Sequence, residues 1–429
     1  METQELYSYF VQCNGIATDT RKINPGSLFF ALKGDNFDAN TFASEALQKG
    51  ARYVVIDNPA YKTGDNILLV NDSLKALQDL ARHHRRELGL PVIALTGSNG
   101  KTTTKELINA VLSKKYNTVA TIGNLNNHIG VPLTLLSFSK DTEIGIVEMG
   151  ANHQQEIAFL CTIAEPNFGY ITNFGKAHLE GFGGYEGVIK GKSELYDYLK
   201  QNTKTAFVNL DDSIQREKTE QLSRYTFAVD DYNCDVRIET VEANPMVAVK
   251  YNGIDIKSHL IGIYNATNIS AAIAIGHHFK IGDTKIKEAI EGYIPANNRS
   301  QLLEKGSNKI ILDAYNANPS SMQAAITNFL QLDTEGSYKI AILGDMFELG
   351  AESAEEHSKI VRSLLDWEGI EVYFVGKDFY NNKENAPHLH FYQSYDDFRD
   401  SFATLSPSGK TILIKGSRGM ALERTLEIL

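Results

Sequence analysis

Residues 92–103, which read Val-Ile-Ala-Leu-Thr-Gly-Ser-Asn-Gly-Lys-Thr-Thr, decide the fold of the central part of the chain. The apolar run Val92–Thr96 is typical of a buried strand, and the pairs Leu107-Ile108 and Val111-Leu112 give the next segment one buried helical face. A glycine-rich turn between a strand and a helix is the context of a phosphate-binding loop. The segment therefore predicts a mononucleotide-binding α/β domain.

The chemistry of this turn favours a nucleotide. Glycines let backbone N–H groups converge on a polyphosphate, and the start of the helix adds its dipole. Lys101 is predicted to contact the β- and γ-phosphates, and the Thr102 hydroxyl to bind Mg²⁺. The spacing is G-x-x-G-K-T, since Leu95 stands where the longer Walker pattern has glycine, and an incidental lysine in a strand–helix turn is the alternative. Nucleotide contacts are predicted at Gly97, Ser98, Asn99, Gly100, Lys101, Thr102 and Thr103.

Three further polar residues follow predicted strands or lie on a predicted helix. Glu148 ends the apolar run Ile144–Glu148, where a carboxylate near the phosphate loop can bind Mg²⁺. A surface glutamate beyond a core strand is the alternative. His178 follows the predicted strand Phe168–Thr172, and Lys192 lies on a predicted helix. Taken alone, these two are typical of a solvated loop and of a helix surface, and their roles stay open at this point.

Short β-branched runs alternate with helical patterns along the chain, which is typical of parallel α/β architecture. We predict three domains, over residues 1–88, 89–297 and 298–429. The last has a doubly wound, Rossmann-like pattern that ends in a helix over Gly419–Ile428. Alternating strands over Tyr225–Ile261 predict an antiparallel extension of the central sheet, with a type I′ hairpin at Asn252-Gly253.

A cluster of basic residues lies on the predicted helix Ser73–Glu87. It reads Arg-His-His-Arg-Arg over residues 82–86. Two interpretations are open, namely an anion-binding site and a solvated helix face.

The charge balance argues against some classes of protein. Lys and Arg number 42 and Asp and Glu 53, so the formal net charge is −11, unlike that of a protein bound to nucleic acid or to an anionic membrane surface. No signal peptide is expected, and no stretch approaches the ~18 apolar residues of a membrane helix. Three widely spaced cysteines are expected to be reduced thiols. A cytoplasmic protein is the default expectation.

Taken together, the motifs resemble those of the Mur ligases of peptidoglycan synthesis over nearly the whole chain. The phosphate loop has this family's own spacing, which accounts for Leu95. Further similar segments occur in the family's order, and that order makes the resemblance specific. They cover residues 19–21, 25–34, 124–132, 148–153, 264–268, 313–322, 343–350 and 415–418.

The resemblance implies a three-domain ligase with a UDP-binding N-terminal domain, a central ATPase domain and a C-terminal Rossmann-like domain. It implies that the protein forms a C–N bond between UDP-N-acetylmuramoyl-tripeptide and D-alanyl-D-alanine. ATP would activate the tripeptide as an acyl phosphate, and two Mg²⁺ ions would take part. A monomer that acts on small molecules is expected.

The resemblance also implies roles for individual residues. Lys192 would be carbamylated by CO₂ and bind the second Mg²⁺ with His178, and Lys190 is the alternative position for the carbamate. The predicted catalytic residues are Lys101, Glu148, His178 and Lys192, and the predicted metal ligands are Thr102, Glu148, His178 and Lys192. Further ATP contacts are predicted at Asn265, Asn268, Arg299 and Asp313. Substrate contacts are predicted at Thr20, Arg21, Asn126, Asn127, Asn152, Asn316, Lys415, Ser417 and Arg418.

Two other functions are alternatives for the same residues. One is another amide ligase, such as a folylpolyglutamate synthase or the ligase that adds the third amino acid, and Asn126-Asn127 and the segment 313–322 argue against it. The other is a nucleotide-dependent binding protein without catalysis, and the four predicted catalytic residues argue against that. Because Lys101 and Asp313 lie in different domains, we expect the C-terminal domain to close onto the central one when ATP and substrate bind.

Overall fold

The predicted strand Val92–Thr96 lies in the interior of the largest sheet of the protein, as seen in a computed structural model. The structure describes residues 1–296, 298–332, 338–405 and 407–429. Along these residues, three α/β domains follow one another, and each has its own main sheet. The α/β fold class with three domains is confirmed. The predicted boundary at 297 lies outside the described residues.

The N-terminal domain is built on a short parallel sheet. Its strands are Ile16–Ala17 (β1), Leu28–Phe30 (β2), Lys33–Gly34 (β3), Phe37–Asp38 (β4), Tyr53–Ile56 (β5) and Ile67–Leu69 (β6), and its helices are Thr3–Phe10 (α1), Ala43–Gln48 (α2) and Ser73–Leu88 (α3). The sheet has the order β1-β2-β5-β6, and β3 and β4 form a separate hairpin. Asp72 caps α3 by accepting the Lys75 N–H at 2.8 Å, and the left-handed Gly89 ends the helix.

The central domain has a seven-stranded parallel sheet, in the order β13-β12-β11-β10-β7-β9-β8. Its strands are Val92–Thr96 (β7), Thr118–Ala120 (β8), Ile144–Glu148 (β9), Phe168–Ile171 (β10), Thr205–Asn209 (β11), Ser223–Ala228 (β12) and Val236–Arg237 (β13). Its helices are Lys101–Leu112 (α4), Gly130–Leu136 (α5), Glu156–Ala164 (α6), Leu179–Phe182 (α7), Tyr185–Gln201 (α8), Ser213–Lys218 (α9), Asn265–His278 (α10) and Asp283–Glu291 (α11). The carboxyl ends of β7, β9 and β10 therefore lie side by side.

The antiparallel strands predicted over Tyr225–Ile261 differ in one respect from the prediction. Thr240–Ala243 (β14), Met246–Tyr251 (β15) and Ile254–Ile261 (β16) form a three-stranded sheet of their own, whereas β12 and β13 continue the parallel sheet. Every second residue of β15 and β16 is buried in the same core as α10, so these strands cover the helices rather than lengthen the sheet. Asn252 and Gly253 both have positive φ, as a type I′ hairpin requires.

The C-terminal domain has a six-stranded sheet in the order β17-β18-β22-β19-β20-β21. Its strands are Gln301–Lys305 (β17), Asn308–Asp313 (β18), Lys339–Gly344 (β19), Ile370–Val375 (β20), Leu389–Tyr392 (β21) and Thr411–Lys415 (β22), and its helices are Pro319–Gln331 (α12), Ser353–Arg362 (α13), Lys377–Asn381 (α14) and Tyr395–Phe402 (α15). Only β17 runs antiparallel to its neighbour.

The predicted helix Gly419–Ile428 is wrong in type. The chain forms two 3₁₀ segments, Arg418–Met420 and Leu422–Ile428, separated by the left-handed Ala421. A left-handed residue cannot continue a right-handed helix, so the apolar pattern of this stretch is buried by tighter turns.

Only part of the basic cluster on α3 is a solvated helix face. Arg82 pairs with Asp79 of the same helix and its side chain is 36% exposed, whereas other members of the cluster contact the central domain. Arg85 is 7% exposed and donates to the Ala164 carbonyl at 3.1 Å and to the Asn167 side-chain oxygen at 2.7 Å. Arg86 pairs with Glu165, also in the central domain. The cluster is therefore part of the junction between the N-terminal and central domains.

Candidate active site

The phosphate loop follows β7 and opens α4, as the sequence predicts. Gly97 and Gly100 have φ of +144° and +76°, and a Cβ at Gly100 would lie 2.7 Å from the Asn268 side-chain oxygen. Glycine is therefore required at both positions. Lys101 Nζ curls back and donates to the carbonyls of Gly97 at 2.7 Å and Ser98 at 3.3 Å. Desolvation lowers the pKa of Lys101.

The neighbouring strand β10 holds this loop in shape. The Thr172 hydroxyl donates to the Asn99 carbonyl at 2.6 Å, and the Asn173 side-chain oxygen accepts the Asn99 N–H at 3.1 Å. Ser98 Oγ donates to the Gly175 carbonyl at 2.6 Å. The loop is thus fixed before any ligand binds, which reduces the entropic cost of binding.

Glu148 lies at the carboxyl end of β9, beside the phosphate loop. It is 1% exposed, and its Oε1 accepts from Asn126 Nδ2 at 2.8 Å. Its Oε2 is buried without a hydrogen-bond partner among the described residues. Glu148 nevertheless lines a cavity between the central and C-terminal domains, which is described below. A buried carboxylate oxygen left without a donor fits a hard cation.

Lys192 is buried on α8 and contacts Ala151, one of the residues that line this cavity. It is 0% exposed, its Nζ donates to the Ala151 carbonyl at 3.1 Å, and the ammonium group lies 4.9 Å from the Phe182 ring centre. Desolvation, aided by the charge of Lys101, places the pKa of Lys192 well below its usual range. Lys190, the alternative position, is exposed.

His178 is in the left-handed conformation at the start of α7, and its Nδ1 pairs with the Glu348 carboxylate of the C-terminal domain. Desolvation lowers the pKa of His178, although Glu348 opposes that shift. A neutral imidazole is the form that binds metals.

One cavity of about 510 Å³ collects most of the predicted residues at the junction of the central and C-terminal domains. The predicted residues that line it are Ser98, Asn99, Gly100, Lys101, Thr102, Thr103, Asn126, Asn127, Glu148, Asn152, His178, Asn265, Asn268, Arg299, Asp313, Asn316 and Lys415.

Other predicted substrate residues lie elsewhere or are engaged. Thr20 and the exposed Arg21 are in the N-terminal domain, where Arg21 pairs with Asp19. Ser417 Oγ accepts the Phe347 N–H at 2.9 Å. Arg418 pairs with Glu423, 3.0 Å away.

The known proteins that this chain resembles match nearly its whole length. Family models described as Mur ligase family, catalytic domain, as Mur ligase middle domain and as Mur ligase, glutamate ligase domain match residues 12–85, 95–276 and 298–418. A protein of Bacillus subtilis (strain 168) is 35% identical over 430 residues, which are 97% of this chain and 93% of that protein. The chain belongs to the Mur ligase family.

Relatives of this Mur ligase carry a specific name. The B. subtilis protein and one of Escherichia coli (strain K12), 33% identical over 99% of this chain and 95% of its own length, are both named UDP-N-acetylmuramoyl-tripeptide--D-alanyl-D-alanine ligase.

Solved structures agree with this relationship. MurF from Acinetobacter baumannii has a TM-score of 0.87 at 31% identity and covers 99% of this chain and 97% of its own. MurF from Thermotoga maritima in complex with ADP has a TM-score of 0.84 at 27% identity and covers 98% and 97%.

Several residues of this Mur ligase cavity were missed as individual site residues. Asn318 Nδ2 donates to the Asn99 side-chain oxygen at 2.7 Å, and the Arg299 guanidinium lies 3.5 Å from the centre of the Tyr315 ring. Ser320 Oγ accepts the Lys176 N–H at 2.8 Å. Asn318, Tyr315 and Ser320 fall in the segment 313–322, so for these three the signal was present in the motif but was not assigned to single side chains.

Lys415, which lines the cavity, is ion-paired within the C-terminal domain. It is 1% exposed, and its Nζ donates to Asp313 Oδ2 at 2.5 Å. Asp313 Oδ1 in turn accepts the Ser300 N–H at 3.1 Å, on the segment that joins the two domains. Lys415 therefore fixes Asp313 at the edge of the cavity.

Two negative findings apply to the part of the chain that the structure describes. None of its helices is long and apolar enough to cross a membrane. Its His, Cys, Asp and Glu side chains form no group of three or more that could hold a metal ion.

Proposed function

We propose that this Mur ligase joins D-alanyl-D-alanine to UDP-N-acetylmuramoyl-tripeptide with hydrolysis of ATP, in the synthesis of peptidoglycan precursors for the cell wall. The observation that carries the proposal is the shared cavity, which Lys101 of the phosphate loop, Glu148 with its unpartnered buried oxygen and Asn316 of the C-terminal domain all line. The names of the relatives support the choice of substrates.

ATP binding is supported by the phosphate loop and by the ADP in the T. maritima relative. We assign the phosphates to residues 97–103, and the other end of the nucleotide to Asn265, Asn268, Arg299 and Asp313. Asn268 is held for this role, because its Nδ2 donates to Asn265 Oδ1 at 2.8 Å and its Oδ1 accepts from Thr104 Oγ1 at 3.0 Å.

We assign two Mg²⁺ ions to Thr102, Glu148, His178 and Lys192. The buried Glu148 oxygen fits a hard cation, but the described acids and histidines form no complete metal site. Carbamylation of Lys192 would supply the missing oxygen ligands. The amine nitrogen bonds to the carbon of CO₂ and releases one proton, and a lowered pKa favours the neutral amine that reacts. When bound, Mg²⁺ would neutralise charge on the phosphates.

The reaction requires two steps. The tripeptide carboxylate attacks the γ-phosphorus, the bond to the β-phosphate oxygen breaks, and an acyl phosphate and ADP result. The amine of D-alanyl-D-alanine then attacks the acyl carbon, phosphate leaves, and the amine loses a proton. Lys101 offsets the repulsion between the carboxylate and the triphosphate in the first step. Water would destroy the acyl phosphate, so we propose that the C-terminal domain covers the cavity during the reaction, and its contacts at Asn99 and His178 support this.

The substrates are assigned to different walls of the site. We propose that Thr20 and Arg21 contact the UDP group, that Asn126, Asn127 and Asn152 contact the peptide, and that Asn316, Lys415, Ser417 and Arg418 contact or order the dipeptide site. We further propose a cytoplasmic monomer with domains at 1–88, 89–297 and 298–429.

Phosphate release from Mg-ATP tests the function. Release is expected only when UDP-N-acetylmuramoyl-tripeptide and D-alanyl-D-alanine are both present. Lys101→Ala should lower kcat by about 100-fold or more, because charge on the transferring phosphoryl group is no longer offset. Lys114→Ala is the matched control, since Lys114 is exposed just after the same helix.

Turnover without the dipeptide, or with glutamate in its place, would contradict the assigned substrates. Unchanged turnover in Lys101→Ala would contradict the assigned phosphate loop.

A further inference from the structure

A second lysine on α4 is buried, one turn beyond Lys101. Lys105 is 2% exposed, and its Nζ donates to the Thr121 carbonyl at 2.6 Å. The nearest carboxylate oxygen, on Glu106, is 3.7 Å away. Removing an ammonium group from water is costly unless it is paired and hydrogen-bonded, and a methionine would fill the same space without that cost. The position of Lys105 therefore calls for a reason other than packing.

Thr121, which accepts this hydrogen bond from Lys105, also contacts Glu148. Thr121 follows β8, and its N–H donates to the Ile146 carbonyl at 2.9 Å. The Thr121 hydroxyl accepts the backbone N–H of Glu148, also at 2.9 Å. One residue thus binds Lys105 through its carbonyl and Glu148 through its hydroxyl.

The chain beyond Thr121 returns to the same carboxylate. Asn126 Nδ2 donates to Glu148 Oε1 at 2.8 Å, and the Asn126 carbonyl accepts the Gly150 N–H at 2.7 Å. The loop that starts at Thr121 therefore occupies one oxygen of Glu148, a residue that lines the cavity, while the other oxygen, Oε2, is buried without a hydrogen-bond partner among the described residues. The direction in which the chain leaves Thr121 decides whether Asn126 reaches this position.

We propose that Lys105 is a positioning residue for the cation site: through Thr121 it fixes the backbone of Glu148 and the loop that carries Asn126, so that Glu148 Oε2 is presented to a divalent cation. The proposal rests on the proposed function, in which Glu148 binds Mg²⁺. Residues that orient a metal ligand typically contribute 10–100-fold to metal affinity or activity.

The test uses Mn²⁺ as the probe, with the full chain and ADP, and measures its affinity by electron paramagnetic resonance. Lys105→Met and Thr121→Val should each weaken Mn²⁺ binding by about 10-fold or more. The Mg²⁺ concentration needed for half-maximal phosphate release should rise in parallel, with kcat at saturating Mg²⁺ within about threefold of the wild type. Lys114→Met, at the exposed lysine, should bind Mn²⁺ like the wild type.

The double variant sharpens the test. If the two residues act in one chain of contacts, Lys105→Met with Thr121→Val should weaken Mn²⁺ binding by less than the product of the single effects. Should Lys105→Met fail to fold, Lys105→Leu, which also removes the ammonium group, replaces it. Thr121→Val tests the second link, because it removes the hydroxyl that accepts the Glu148 N–H and leaves the carbonyl that accepts from Lys105.

Wild-type Mn²⁺ affinity in the folded variants would overturn the proposal, as would a loss of kcat with unchanged Mg²⁺ dependence. Glu148→Gln separates this failure from that of the proposed function. If Glu148→Gln loses Mn²⁺ affinity while the Lys105 and Thr121 variants keep it, only the role of Lys105 is refuted. If Glu148→Gln also binds Mn²⁺ normally, the metal role of Glu148 is refuted as well.

Discussion

The central domain meets its two neighbours through different kinds of contact. At the N-terminal junction, the buried Arg85 donates to the main-chain carbonyls of Ala164 and Glu165 and to the Asn167 side chain, and Arg86 adds a more exposed pair with Glu165. At the C-terminal junction, side chains meet side chains, as in the pair Lys176–Glu356 at 2.7 Å and the pair His178–Glu348. Each pair has one solvated member, because the side chains of Glu348 and Lys176 are 54% and 36% exposed whereas that of Glu356 is 6% exposed. The first junction is therefore suited to holding a fixed geometry, and the second to opening and closing around ligands.

The largest effect is expected at the N-terminal junction. Arg85→Ala should lower the free energy of unfolding by about 2–3 kcal/mol, because buried carbonyl and amide oxygens lose a charged donor. Arg82→Ala on the same helix should change it by less than about 0.5 kcal/mol, because Arg82 only pairs with Asp79 near the surface. Urea unfolding measures both. Equal effects would contradict the distinction between buried and solvated parts of the cluster.

A substitution at the C-terminal junction is expected to change the stability less, but to shift the arrangement of the central and C-terminal domains. Lys176→Met should cost less than about 1 kcal/mol of unfolding free energy. A difference of that size changes the ratio of open to closed arrangements about fivefold, so the radius of gyration of the ligand-free protein should rise. Small-angle scattering measures it.

Lys359→Met is the matched control for this change. Lys359 contacts the same Glu356 oxygen at 3.1 Å from within α13, so it does not cross the junction. If both lysine variants scatter alike, Lys176 does not hold the domains together.

The smallest effect is a pH dependence at the N-terminal junction. His84 Nε2 bonds to the Phe138 carbonyl, and burial lowers the pKa of His84 below that of an unfolded histidine. As pH falls below about 6.5, His84 becomes protonated in the unfolded chain but stays neutral in the folded one. Protonation therefore favours the unfolded chain, and His84 lowers the free energy of unfolding in acid. Between about pH 7.5 and about pH 5.5, the melting temperature should therefore fall by more in the wild type than in the His84→Gln variant.

His83→Gln provides the control for that measurement. His83 is next in sequence and lies 3.8 Å from Glu87, with its side chain 26% exposed. Its variant should follow the wild type. If His84→Gln does so too, His84 is not responsible for the acid sensitivity of this junction.

Those parts of the fold that depend on local pattern were predictable from sequence. The bounds of Val92–Thr96 and Ile144–Glu148 were correct because apolar runs closed by glycine or acid residues define buried parallel strands. The meeting of Lys101 and Glu148 at one cavity follows from the shared carboxyl edge of such strands.

The remaining features depend on contacts that periodicity does not contain. From its helical pattern alone, Lys192 is predicted to be a surface residue, and only the resemblance to the family identified it as a site residue. It is buried because it contacts Phe182 and Ala151, which are not part of its own helix. Arg85 was misplaced for the same reason, since its partners belong to another domain. Lys105 was overlooked, because no local pattern distinguishes a buried lysine from the exposed one expected in a helix.

Asn318 uses both ends of one amide. Its oxygen accepts the Ser321 N–H and caps α12, while its nitrogen donates to Asn99 in the phosphate loop. Aspartate, serine and threonine serve equally well at most helix starts, but an ionised aspartate has no donor and a hydroxyl is too short to serve two partners on opposite sides. Substitutions by aspartate, serine or threonine, which are neutral at most helix starts, should therefore be selected against at position 318. A survey of natural variants should find asparagine retained there.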